Sequence, residues 1–368
     1  MSRTTYKISK LLGEGSFGKA YLGLSEKDGT NCVIKQVQVE GMSDQEKRET
    51  FNEASILKKL DHPNIIKFKE VFLSRKPTQS LNIVTEFADG GDLSQKIQSQ
   101  KKQNFPEREI LDYFTQICLA LQHMHKKKII HRDLKSGNVF LMKSGVVKLG
   151  CVGRSKGLQN TWDKAKTMVG TPYYLSPEII NSKPYDAKSD IWALGVLLYE
   201  LMTFKMPFDA NSLPSLNLKI NKGKYKAPPS MYSDDIKDIL KKCLALDPEQ
   251  RPSVNDLLKL PIITKRSCSY LNEVKFDVDL TKTMTKKYKE NLKEIEKKQK
   301  NETPVNNNTI TEEKPTESTN VSAETDNKKK TADKGKIGNF FKKTKGKTKT
   351  GDQKTKEKQE NEGNQEKK

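Results

Sequence analysis

Apolar and polar residues alternate along the first part of the chain with the two-residue period of half-buried strands. Tyr6–Leu12 and Ala20–Leu24 read as strands on either side of a glycine-rich turn, and Asn31–Val39 reads as a third. The period then lengthens. Phe51, Ala54, Leu57 and Leu60 recur at helical spacing and predict a helix over Ser43–Leu60. Ser43 is its expected N-cap, and Glu46 completes a capping box. Asp61-His62-Pro63-Asn64 ends it. Two more strands follow up to Phe87, and Ala88-Asp89-Gly90-Gly91 reads as a hinge. Beyond the hinge the pattern is helical. Ile110–Lys126 carries Leu111, Phe114, Ile117, Cys118 and Leu121 on one face, and Ser189–Met202 and Asp234–Leu246 follow. The expected fold class is α+β: a small sheet lobe with one helix, joined to a larger helical lobe, with a cleft between them for a site. No internal repeat is present.

Composition divides the chain once. In residues 1–263 apolar and polar stretches mix as in a globular domain; from Thr264 onward Lys, Glu, Asn and Thr dominate and aromatics become rare. Such a segment buries too little apolar surface to offset the entropy of ordering it. The expectation is one folded domain over 6–263 and a basic, low-complexity, mostly disordered tail over 264–368. The net charge is +21. The 41 basic and 29 acidic residues up to Leu260 leave about +12, and the 27 basic and 18 acidic from Pro261 leave about +9. Both parts are drawn to anionic surfaces. Cys32, Cys118, Cys151, Cys243 and Cys268 are odd in number and form no C-x-x-C pair, which points to a reducing compartment. No apolar segment opens the chain, so no signal peptide is expected, and the apolar run Ile191–Met202 is too short to cross a bilayer.

Three stretches carry chemistry. Gly13-Glu14-Gly15-Ser16-Phe17-Gly18-Lys19-Ala20 fits a glycine-rich loop whose amides approach phosphate oxygens; with a strand on each side and no helix after it, a dinucleotide fingerprint is excluded. Cys32-Val33-Ile34-Lys35 places a lysine at a strand end, where Glu53, mid-helix beside the apolar face, is able to pair with it. His131-Arg132-Asp133-Leu134-Lys135-Ser136-Gly137-Asn138 is the most specific. One short loop bears a carboxylate, a lysine two residues on and an amide five residues on. Those groups suit proton acceptance from an alcohol, neutralisation of phosphate charge and metal binding.

With Thr171-Pro172-Tyr173-Tyr174-Leu175-Ser176-Pro177-Glu178 and Asp190-Ile191-Trp192-Ala193-Leu194-Gly195 at their distances downstream, Tyr6 to Ile263 resembles the protein kinase family. Val33-Ile34-Lys35, Gly170–Glu178 and Lys188–Gly195 look like the NIMA-related serine/threonine branch. The resemblance implies the two-lobed kinase fold, with a five-stranded antiparallel sheet in a small lobe over 6–88 and a large lobe over 89–263. It implies ATP as cofactor with magnesium, and a protein serine or threonine as substrate, which Lys135 and Thr171 favour over tyrosine. Asp133 would orient and deprotonate the substrate hydroxyl, Lys135 would support the γ-phosphate, and Asn138 would bind one magnesium. Leu12, Gly13, Gly15, Gly18 and Ala20 would cover the nucleotide, and Lys35 with Glu53 would hold its phosphates. Thr85 would be the gatekeeper, with Glu86 to Ala88 offering backbone bonds to adenine. Glu178 and Arg251 would form a structural ion pair, and Asp190 would open a buried structural helix. Thr167 matches an activating phosphorylation position whose phosphate Arg132 would meet.

One motif departs from the family. Lys148-Leu149-Gly150-Cys151-Val152-Gly153 aligns without a gap where the family has Asp-Phe-Gly, so Cys151 stands at the magnesium aspartate and Val152 at the phenylalanine. Magnesium prefers oxygen ligands. A thiol beside ATP supplies neither a hard donor nor, near its ordinary pKa of about 8.5, a charge. Valine partly empties a space shared with His131, Leu57 and Phe68. The metal site is therefore expected to be weakened, with manganese as an alternative ion. Three readings stay open: a kinase of reduced activity or altered metal dependence; a pseudokinase that binds ATP, or no nucleotide, and acts as a scaffold or allosteric regulator; and a sequencing or allelic departure at this codon.

In the tail, Leu280, Met284, Tyr288, Leu292 and Ile295 fall at near-helical spacing within 277–300, which reads as an amphipathic docking helix or as a solvated charged stretch. Lys334–Lys349 is strongly basic and holds Phe340 and Phe341, a combination suited to acidic membrane or to the acidic tails of tubulin. Acidic residues interspersed elsewhere in the tail argue against one continuous nucleic-acid surface. The resemblance implies a cytoplasmic protein at the cytoskeleton, cilium or basal body, with the nucleus as an alternative.

Overall fold

A computed structural model describes residues 5–15, 18–74, 79–100, 103–150 and 172–273, together with Glu290, Lys293 and Lys297. Cys151, Val152, Thr167, Thr171 and the basic run 334–349 lie outside the described residues. Of the expected helix 277–300, Glu290, Lys293 and Lys297 are described, and all three are helical and exposed.

Five strands form one antiparallel sheet: β1 Tyr6–Gly15, β2 Gly18–Ser25, β3 Asn31–Gln38, β4 Phe68–Ser74 and β5 Ser80–Glu86, in the order β1-β2-β3-β5-β4. Period-two alternation gives the sheet two apolar faces. Cys32, Ile34 and Val84, with Tyr6 and Phe72, make one. Leu81 and Ile83 make the other, with Val39, Met42 and Phe68, and it buries Ala54 and Leu57 of helix α1, Asp44–Lys58.

Helix α1 starts as its sequence dictates. The Ser43 hydroxyl accepts the Glu46 N–H at 3.3 Å, and the Glu46 carboxylate accepts the Ser43 N–H at 3.0 Å. Phe51 departs from expectation and is 40% exposed. Each three-residue step turns back about 60° round a 3.6-residue helix, so Phe51 lies a quarter-turn from the mean direction of Ala54 and Leu57.

The second lobe holds α2 Leu93–Ser99, α3 Glu107–Lys126, the short hairpin of β6 Val139–Leu141 and β7 Val147–Leu149, then α4 Pro177–Ile180, α5 Ala187–Thr203, α6 Leu213–Lys222, α7 Asp234–Cys243, α8 Val254–Lys259 and α9 Pro261–Glu273. Helix α5 is buried on all sides from Ser189 to Met202, which is why its sequence is apolar without periodicity. Gly195 lets α7 approach it: a Cβ there would lie 2.7 Å from Cys243 Cβ and 3.0 Å from Leu244 Cδ2. Gly195→Ala should therefore overpack this contact and cost about 1–3 kcal/mol, read as a lower midpoint in urea unfolding with an unchanged slope.

Packing does not stop at Ile263, where the sequence places the end of the folded domain. Helix α9 runs across that point to Glu273, and Thr264, Ser267 and Tyr270 are buried against the lobe. The Thr264 hydroxyl donates to Leu258 O at 2.8 Å. A polar stripe of this kind buries as well as an apolar one once its groups are bonded, and composition alone does not reveal it.

Candidate active site

Backbone geometry builds the cover of the cleft. Gly13 pairs with Ala20, and Gly15 pairs with Gly18, across the β1–β2 turn; Ser16 and Phe17 lie outside the described residues. Gly18 has φ +115°, and a Cβ there would stand 1.9 Å from Gln36 O, so no other residue type fits. Leu12 is partly exposed on the same strand. Lys35 sits on β3 between Ala20 and Ile83 in register, one strand from the turn. Glu53 belongs to α1, but its side chain lies outside the described residues, so a Lys35–Glu53 pair remains an expectation.

The connection between the lobes is fixed by bonds that the sequence does not announce. The Glu86 carboxylate accepts the Lys67 N–H at 2.7 Å and meets Lys148 Nζ of β7 at 2.8 Å. The Thr85 hydroxyl donates to Glu86 O at 3.3 Å, and Ala88 is buried. Beyond it, Asp89 accepts the Lys143 N–H, and Gly90 N–H donates to Leu141 O, both at 2.8 Å.

The catalytic loop hangs from one buried carboxylate. Asp190, fully buried at the start of α5, accepts the N–H of His131 at 2.9 Å and of Arg132 at 3.0 Å. It also meets His125 Nε2 at 2.8 Å and the Tyr185 hydroxyl at 3.0 Å. Burial pushes the Asp190 carboxyl up, but the His125 bond and the other donors outweigh it and hold the group below the ordinary carboxylate range. This anchoring offsets a strained backbone: Arg132 has φ +67°. His131 is oriented from both ring nitrogens. Nδ1 accepts the Asp133 N–H at 3.3 Å, so Nε2 carries the proton and donates to Gly150 O at 2.9 Å.

The loop brings the three expected groups together. Asn138 Nδ2 donates to Asp133 Oδ2 at 2.9 Å and to Asp133 O at 2.6 Å. Lys135 Nζ stands 3.3 Å from the same Oδ2, with both side chains only partly exposed. Between them, the Ser136 hydroxyl donates to Glu200 of α5 at 3.1 Å, and the Ser136 N–H donates to the Tyr174 hydroxyl at 3.2 Å; that hydroxyl in turn donates to Glu200. Burial raises the Glu200 carboxyl against these bonds. Glu200 was legible in principle, as an acidic residue inside an apolar helix.

Behind the site, Glu178 and Arg251 form the expected pair, bidentate at 2.7 and 2.8 Å. Arg251 also donates to Ala245 O, Lys188 O and Leu246 O, lies over the Trp192 ring at 5.0 Å, and is fully buried.

Among the described residues no three of His, Cys, Asp and Glu cluster as a metal site. Asn138 offers one neutral oxygen, and the sequence puts sulfur at position 151, which lies outside the described residues.

The sequence pattern of the protein kinase domain matches residues 6–263. Serine/threonine-protein kinase Nek1 of Mus musculus is 47% identical over 261 residues, covering 71% of this chain and 21% of Nek1. Serine/threonine-protein kinase Nek5 of Homo sapiens is 43% identical over 267 residues, 72% of this chain and 37% of its own length. Putative serine/threonine-protein kinase A of Trypanosoma brucei brucei is 41% identical over 268 residues, 72% and 62%. The chain thus spans from about a fifth to under two thirds of these relatives.

Proposed function

Because this chain belongs to the protein kinase family, in its NIMA-related serine/threonine branch, we propose that it transfers the γ-phosphate of ATP to serine or threonine hydroxyls of proteins, at a rate lowered by Cys151. The observation that carries this is the convergence of Lys135 and Asn138 on Asp133, within 3.3 Å, on a loop pinned by Asp190. Asp133 accepts the substrate's proton as its oxygen attacks. Lys135 neutralises charge on the transferred group, and the amides of Gly13, Gly15 and Gly18 with Lys35 hold the phosphates in place. Family members use magnesium with ATP; Asn138 would offer the ion one neutral oxygen, and position 151 lacks the carboxylate that would add a charged one. Thr167 is the position we assign to activating phosphorylation, with Arg132 facing the phosphate.

A second reading has its own observation, the sulfur at Cys151. In it the chain binds ATP and signals without transfer. Incubation with ATP and a generic basic protein separates the two. The first reading expects incorporation that falls by about 10²-fold or more in Asp133→Asn, while ATP raises the melting temperature of both proteins. Stabilisation by ATP with no incorporation gives the second. On either reading, the basic run 334–349 is the part we expect to meet an anionic surface. Among the described residues no helix is long and apolar enough to cross a membrane.

A further inference from the structure

Helix α9 reaches past the end of the matched kinase domain, and its last buried turn touches the segment that leads into position 151. Tyr270, 3% exposed, places its hydroxyl 2.9 Å from Asn64 Nδ2. Asn64 lies in the turn between α1 and β4. The same Nδ2 faces Val147 O at 2.9 Å and Gln116 Oε1 at 3.0 Å, so two amide hydrogens are shared among three oxygens. Gln116 of α3 fixes this hub from below: its Oε1 accepts the Val147 N–H at 2.7 Å, and its Nε2 donates to Gly145 O at 3.3 Å.

The backbone carries the hub forward. Leu149 N–H donates to Asn64 O at 2.8 Å, and Ile66 N–H donates to Leu149 O at 3.0 Å. Ile65 and Leu149 pair as a parallel bridge. Gly150 follows at once. It is gripped on both sides, its N–H donating to Asn138 O at 2.8 Å and its O accepting from His131. The register of β7 against Asn64 therefore fixes the place of Gly150. Helix α9 is itself held to α3 by an Arg266–Asp112 ion pair, and to α8 by the Thr264 hydroxyl on Leu258 O.

We propose that Tyr270 is a positioning residue for phosphate transfer, acting through Asn64 and β7 on Gly150. In this assignment residues 264–273 are a working part of the catalytic unit rather than the start of a linker. Anything that pulls on or covers α9 then shifts Gly150 and the β7 register without touching the nucleotide. The kinetic part rests on the transfer reading above; the structural part does not.

The test uses the full chain and Tyr270→Phe, which keeps the ring and removes the hydroxyl. Amide hydrogen exchange is followed at Leu149 and Ile66, and at Leu197 in α5 as a control. The expected result is exchange about 3- to 10-fold faster at Leu149 and Ile66, as for loss of one hydrogen bond, and unchanged at Leu197. A uniform change at all three, or none at Leu149 and Ile66, overturns the proposal. Transfer is measured in parallel with Tyr270→Phe placed in the Cys151→Asp background. There kcat should fall about 3- to 10-fold with the KM for ATP unchanged; an equal rise in KM counts against positioning. If Cys151→Asp alone transfers nothing, the kinase reading fails, and the exchange pattern still decides the role of Tyr270. Should Tyr270→Phe fold poorly, Tyr270→Met in the full chain, which also removes the hydroxyl, gives the same exchange readout.

Discussion

Cys151→Asp should raise single-turnover phosphate transfer by about 10²–10⁴-fold, the equivalent of about 3–5 kcal/mol of transition-state stabilisation. The effect is large because an ionised carboxylate is a hard, charged donor, whereas a thiol beside phosphates stays protonated. Gly150, the last described residue before position 151, is fixed on both sides, by Asn138 O and by His131 Nε2, and a Cβ on it would stand 2.6 Å from Phe140 Cε2. The rise should sit towards the lower end of that range while Val152 is kept. Leu57 and Phe68 pack together on the sheet side; by the family resemblance residue 152 is expected beside them, where valine in place of phenylalanine would cost about 2–4 kcal/mol. Adding Val152→Phe should increase transfer again. The measurement is rapid-quench transfer from radiolabelled ATP, with the Asp133→Asn double variant as the control for contaminating kinases. No rise over the wild type would sink the idea that position 151 limits the rate.

Arg251→Ala is the second large effect, and it concerns stability. It leaves the Glu178 carboxylate buried without its cation and removes the donor that Arg251 gives to three carbonyls. Breaking a buried pair from one side costs about 3–5 kcal/mol, which for a domain of this size lowers the melting temperature by about 10 °C. The deficit should depend on pH with a definite sign. Burial pushes the Glu178 carboxyl up, but Arg251 and Ser189 bond it and hold it below its ordinary value. A carboxyl depressed on folding contributes stability above its unfolded pKa, about 4.3, and loses it as pH falls through the folded one. The gap between wild type and Arg251→Ala should therefore be full at pH 6 and narrow below about pH 4. Calorimetry across that range checks both size and slope; a gap that widens in acid would show that the pair is not the source.

The sheet lobe was legible because its signals are local. Ser43 and Glu46 are three residues apart and cap one helix, and the strands alternate within themselves. Asp133, Lys135 and Asn138 were legible for the same reason, since one loop of eight residues holds them all. What escaped was non-local. His125 reaches Asp190 from 65 residues away, and Tyr270 reaches Asn64 across 206. Nothing in the period of α3 or α9 marks which polar residue turns inward. The domain end escaped because Thr264, Ser267 and Tyr270 read as solvated residues until their bonds are seen.

The partners that shape the catalytic loop come from α3, from the turn before α5 and from α5 itself. None of those bonds uses the side chain at 151. A variant there that changes transfer should therefore leave the loop's anchoring, and with it the melting temperature, as it was.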